Sequence, residues 1–221
     1  MKRYFFAVFF LAGTICADEE GQGAPFELYE AQDFSFLFST SKFPKELLEL
    51  HIKLYEGYVK NARKLLEQLA EMRKEGSEKT YAYGALKRRL NFEMSGLRLH
   101  EYYFSELGGQ GVPASHSHFI DALIEQFGSY EAWKHDFVQT GMMRGIGWVV
   151  LCLDEQTGAL LNIWIEEHNL GNLVGLAPLL VMDVWEHAYI TIFHLNRRRY
   201  IEAFFREIDW PLIEKRFNSV G

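Results

Sequence analysis

Apolar and polar positions along this chain fall into stretches of different pattern, and each pattern predicts a different element. Over residues 42–72, Leu47, Leu50, His51, Leu54, Tyr55, Tyr58, Ala62, Leu65, Leu69 and Met72 recur at steps of three and four. That is the stripe of one long amphipathic helix. A charged link at 73–79 leads to a second helix over 80–107, with Leu90, Met94, Leu97, His100, Tyr103, Phe104 and Leu107 on its apolar face. Two long helices joined by a short link are expected to lie antiparallel. The run Gly108-Gly109-Gln110-Gly111-Val112-Pro113 ends the pattern. Beyond it the spacing predicts helices near 117–127 and 130–140, then strands at 146–153, 160–165 and 179–182. Asp154-Glu155-Gln156-Thr157-Gly158 reads as a hairpin loop between the first two strands. A last helix is expected over 199–206, stopping before Trp210-Pro211. The expected class is α+β: a long-helix hairpin over 18–112, then a domain over 113–221 with a small, mainly antiparallel three-stranded sheet and flanking helices.

The N-terminus follows different rules. Lys2 and Arg3 precede an apolar core from Tyr4 to Ile15, and Ala17 ends a stretch that turns acidic at Asp18-Glu19-Glu20. Residues 1–17 therefore read as a signal peptide, too short to span a bilayer. They predict an exported protein, periplasmic or secreted, without a membrane span. Residues 18–40, with Gly21, Gly23 and Pro25, read as an extended lead-in. Thr14-Ile15 before Cys16 is bulkier than a lipid-attachment site usually carries, so a lipid anchor there is not expected. Removal of Cys16 leaves Cys152, which has no cysteine to pair with and reads as a small buried hydrophobe. The net charge of −7 becomes −9 without Lys2 and Arg3. An acidic chain of that kind argues against nucleic-acid binding, which needs a basic face.

Candidate chemistry sits after the last strand. Asp183 and His187 follow Leu179-Leu180-Val181-Met182, and a charge beside a buried strand needs a partner. A metal ion accepts both groups, whereas a helix-capping Asp with a hydrogen-bonded His is the plainer alternative. Each hairpin helix adds one histidine to its apolar stripe, His51 and His100. Three imidazoles and one carboxylate form a mixed donor set that suits iron or manganese.

With those residues the chain resembles the iron/manganese superoxide dismutases over residues 26–217. Asp183-Val184-Trp185-Glu186-His187-Ala188-Tyr189 matches the family signature in full. Gly145-Ile146-Gly147-Trp148, Phe127-Gly128-Ser129 and Tyr200-Ile201-Glu202-Ala203-Phe204 with Trp210 support it. The resemblance implies a dismutase that converts superoxide to oxygen and hydrogen peroxide with one Fe or Mn ion per subunit. It implies His51, His100, Asp183 and His187 as ligands between the two domains, and Trp148 and Trp185 as walls of the metal pocket. Glu186 and Tyr189 match residues that reach across a homodimer interface.

Two departures from the family pattern stand out. The ligand His of the first helix normally precedes a Tyr-Val pair by eight residues, but His51 precedes Tyr58-Val59 by seven. An ungapped alignment would put Leu50 in the ligand slot. Seven residues are close to two helical turns, so His51, Tyr55 and Tyr58 share a face. Tyr58 is the expected gateway tyrosine, with Tyr55 as its competitor. The positions matched to the family's solvent-binding glutamine hold Gly96 and Arg144. His168, in Glu166-Glu167-His168-Asn169, is a candidate substitute that otherwise reads as a surface loop residue. His116, His118, His135 and His194 read as surface residues. A non-catalytic metal-binding or scaffold paralogue is the alternative these departures suggest.

Overall fold

The computed structural model describes residues 29–172 and 174–220; the expected signal peptide, Cys16 and most of the lead-in lie outside the described residues. Helix α1 is a single turn, Leu37–Thr40. Helices α2 (Lys45–Lys74) and α3 (Tyr81–Ser105) are the two long elements. Glu46 in the first turn of α2 and Arg73 and Lys74 in its last oppose the helix dipole with the right signs. Thr80 starts α3 by accepting a hydrogen bond from the Tyr83 amide.

Phe127-Gly128-Ser129 has a local reason. Gly128 ends α4 (His118–Phe127) in the left-handed conformation at φ 85°, and Ser129 at once caps α5 (Tyr130–Gly141) through the Ala132 amide. The sheet is wholly antiparallel in the order β2-β1-β3, with β1 at Gly147–Asp154, β2 at Leu160–Glu166 and β3 at Leu176–Asp183. Central β1 is buried along nearly all its length, as its unbroken apolar run requires. A 3-10 turn (Glu186–Ala188), α6 (Ile190–Phe193), α7 (Arg197–Phe205) and α8 (Trp210–Val220) follow.

Three expectations are corrected. Strand β3 begins three residues early and runs through Pro178, which an edge strand tolerates; the register shifts opposite it, between Leu151 and Cys152. Helix α7 ends before Trp210-Pro211 as expected, but that pair also opens a further helix, α8, that was not expected: Asp209 accepts the Leu212 amide, and Pro211 sits in the first turn, where its missing N–H costs nothing. The short α1 lies within the expected lead-in. The stripe on α2 also turns slightly. Leu50 and Leu54 are exposed, while Leu48 and Val59 join His51, Tyr55 and Ala62 in the interior. Cys152 is buried as expected. Among the described residues, no helix is long and apolar enough to cross a membrane.

Candidate metal centre

Four side chains from four places in the chain converge. His51 comes from α2, His100 from α3, Asp183 from the last residue of β3 and His187 from the 3-10 turn beyond it. One potential ligand atom of each lies within 4.8 Å of every other. The Nε2 atoms of His51 and His187 are each 3.1 Å from Asp183 Oδ2, and His100 Nε2 is 3.7 Å from the same oxygen. Leu50, the competitor from the ungapped alignment, is 55% exposed, whereas His51 is 3% exposed.

The outer contacts orient these groups. His100 Nδ1 faces the Gly96 carbonyl at 2.6 Å, and a carbonyl can only accept, so Nδ1 carries the proton. His100 Nε2 is therefore a bare lone pair. It is buried, has no hydrogen-bond partner among the described residues, and faces a carboxylate oxygen. Two acceptors aimed at each other in the interior call for a proton donor or a cation between them, and a metal ion held by this donor set satisfies both. Asp183 Oδ1 accepts the Trp185 amide at 2.8 Å, and its backbone carbonyl accepts the Tyr200 hydroxyl at 2.7 Å. Burial alone would raise the Asp183 carboxyl, but His187 and His51 beside it hold it well below the usual carboxylate range. Burial lowers His51 and His100, so both favour the neutral form that ligates metal.

A second group of side chains backs this cluster. Trp148 and Asp183 are directly opposed across β1 and β3, which brings the indole to the His100 ring at 4.9 Å. Trp148 Nε1 donates to His168 Nδ1 at 3.0 Å, and His168 Nε2 meets the Tyr58 hydroxyl at 2.7 Å. Tyr58 stacks on His100 at 5.1 Å. Trp185 lies flat against both His168 (4.8 Å) and His187 (5.8 Å). Tyr55, the competing tyrosine, is turned away: its hydroxyl donates to Glu101 and accepts the Gln32 amide, tying down the segment before α1.

The reading of His168 as a surface residue is overturned, since it is fully buried. The acidic loop around it gave no local sign of this. The hairpin register does: Gly147 pairs with Glu166, so a residue just past Glu166 falls at the same end of the sheet as Trp148 and Asp183. Arg144 is exposed, lining a groove of about 710 Å³ with Glu186 and Tyr189. Glu186 is exposed on that groove, and Tyr189 is held by Arg197, whose Nε donates to its hydroxyl at 3.2 Å. Neither joins the metal cluster within one chain. His116, His118, His135 and His194 are exposed, as expected.

Known proteins share this arrangement of sequence. Residues 115–216 match the family described as iron/manganese superoxide dismutases, C-terminal domain. An iron superoxide dismutase of Aquifex pyrophilus is 35% identical over 182 residues, covering 79% of this chain and 84% of the relative. A manganese superoxide dismutase of Haloferax volcanii is 34% identical over 160 residues, covering 72% and 79% respectively. An iron superoxide dismutase of Methanothermobacter thermautotrophicus is 31% identical over 193 residues, covering 80% and 92%. With similarity running through both the hairpin and the sheet, the chain belongs to the iron/manganese superoxide dismutase family.

Proposed function

We propose that the chain is a superoxide dismutase, taking one Fe or Mn ion per subunit on His51, His100, Asp183 and His187. The orphaned lone pair of His100, aimed at Asp183, is the observation that carries this reading. Bound there, iron or manganese supplies the one-electron redox couple that disproportionation of superoxide to oxygen and hydrogen peroxide requires. The protein's part is to bind, orient and supply protons. One carboxylate among three neutral imidazoles leaves a di- or trivalent centre net positive, which draws an anionic substrate.

Reduction of superoxide to hydrogen peroxide consumes two protons, and Tyr58 and His168 hold protons beside the cluster. Burial pushes the Tyr58 hydroxyl well above its ordinary value, so it keeps its proton at neutral pH. Burial lowers His168 to about 4, so it stays neutral there. His168 takes the place of the family's glutamine, joining Trp148 on one side to Tyr58 on the other. Trp148 and Trp185 wall the pocket and exclude water from it.

In this reading two copies pair across the groove that holds Glu186 and Tyr189, and residues 1–17 direct export to the periplasm or the medium. The test is superoxide decay by the mature chain from Asp18, loaded separately with Fe and with Mn. Fast decay with either ion supports the proposal. Stoichiometric metal without decay would replace it with a metal-binding scaffold.

A further inference from the structure

We propose that Trp148 fixes the tautomer of His168 and so leaves the Tyr58 hydroxyl free to donate its proton into the metal pocket. The inference rests on the dismutase reading above. An indole N–H can only donate, so His168 Nδ1, 3.0 Å from Trp148 Nε1, is the bare nitrogen of the ring. A neutral His168 then carries its single proton on Nε2, 2.7 Å from the Tyr58 oxygen. That N–H donates and the tyrosine oxygen accepts. The tyrosine's own proton is left to point elsewhere, and its oxygen makes no other hydrogen bond among the described residues.

The opposite tautomer would set two N–H groups against each other at the indole. It would also turn His168 Nε2 into an acceptor that captures the Tyr58 proton. Tyr58 would then have nothing to give to a reduced dioxygen species. A single indole contact thus decides which way the hydrogen-bonded chain runs.

The ring is also prevented from turning over. Trp185 lies parallel to it at 4.8 Å, and Phe92 meets it edge-on at 4.6 Å. The backbone before it is fixed as well: Glu167 sits in the left-handed region at φ 52°, unusual for a residue with a side chain. Its carbonyl accepts the Trp185 indole N–H at 3.1 Å, and the Asn172 side-chain Nδ2 donates to the His168 carbonyl at 3.3 Å. Trp148 and Trp185 are therefore positioning residues, acting through His168 and its loop.

The test is nitrogen-15 NMR of histidine-labelled mature chain loaded with zinc, a diamagnetic ion that such ligands also accept. The His168 signals are assigned by their loss in His168→Gln. The expected spectrum shows one tautomer, with Nδ1 bare and Nε2 protonated. Tyr58→Phe is expected to leave that tautomer in place, and Trp148→Phe to give a mixture whose two nitrogen shifts move toward each other. A protonated Nδ1 in the unaltered chain, or a mixture in Tyr58→Phe, would overturn the proposal even if Trp148→Phe fails to fold. Absence of superoxide decay would instead sink the dismutase reading, and would leave these spectra unchanged.

Discussion

Tyr58 lies directly over the backbone of Gly96, so that a β-carbon built there would stand 2.9 Å from the tyrosine ring. This contact explains why one site matched to the family's glutamine is bare: the space belongs to Tyr58. Gly96→Ala should push the ring off His100 and lengthen its bond to His168. Displacements of this kind cost between about ten- and a hundredfold in rate. Stability should change little, because alanine gains up to about 1 kcal/mol of helix propensity in the middle of α3 against the crowding. Steady-state superoxide decay alongside thermal unfolding of the same variant checks both halves; equal activity would show that Tyr58 tolerates the shift.

Among the described residues, Asp183 is the anion that all three imidazoles face. Asp183→Ala removes it and leaves three imidazole donors. Groups that merely support a ligand are worth about 10–100-fold in metal affinity, and a direct ligand should be worth more. Metal content and dismutation are expected to fall together, measured by elemental analysis and by superoxide decay on one preparation. Full metal content in this variant would remove Asp183 from the ligand set.

Most of what the sequence disclosed followed from period. The two long helices, the β1–β2 hairpin and the stripe positions of His51 and His100 came from spacing. Each rests on contacts close in sequence or on a stripe facing one way. Asp183 and His187 stood out as polar groups after an apolar run, and the four were joined as a ligand set by the family resemblance. What escaped depends on tertiary partners. The inward turn of His168 is set by Trp148, Trp185 and Tyr58, which lie 20, 17 and 110 positions away. Strand β3 through Pro178 depends on being at the sheet edge, which no local pattern states. The start of α8 was present locally, in Asp209 before Trp210-Pro211, but the same proline also fits a stop.

Helix α8 is tied to the rest of the molecule by Arg216. Its guanidinium donates to the buried Glu106 carboxylate at 2.7 Å, and also to the Leu179 and Tyr102 carbonyls and the Ser105 hydroxyl. Glu106 Oε1 accepts the Val181 amide of β3 at 2.9 Å. Arg216→Ala would strand a fully buried carboxylate, a change that typically costs about 3–5 kcal/mol. Chemical denaturation should show that loss, while Arg216→Ala with Glu106→Gln should recover part of it. A loss below about 1 kcal/mol would mean that Glu106, whose carboxyl burial already pushes up to about 8, takes up a proton once Arg216 is gone.

His168 gives the metal-free chain a defined acid sensitivity. Burial lowers its proton affinity to about 4 from an ordinary value of 6.5, so the unfolded chain takes up the proton first as the medium is acidified. Its contribution is fully present above pH 6.5 and drains away as pH falls toward about 4, by at most roughly 1.4 kcal/mol for each unit of pH. The Trp148 indole reinforces the sign, because protonation would place a second N–H against its own. Replacing His168 with glutamine keeps an acceptor for Trp148 and a donor for Tyr58 but removes the titration. The variant's melting temperature should therefore fall less steeply than that of the unaltered chain between pH 6.5 and 4, both measured without metal. Parallel curves would place the acid sensitivity in the other histidines of the cluster.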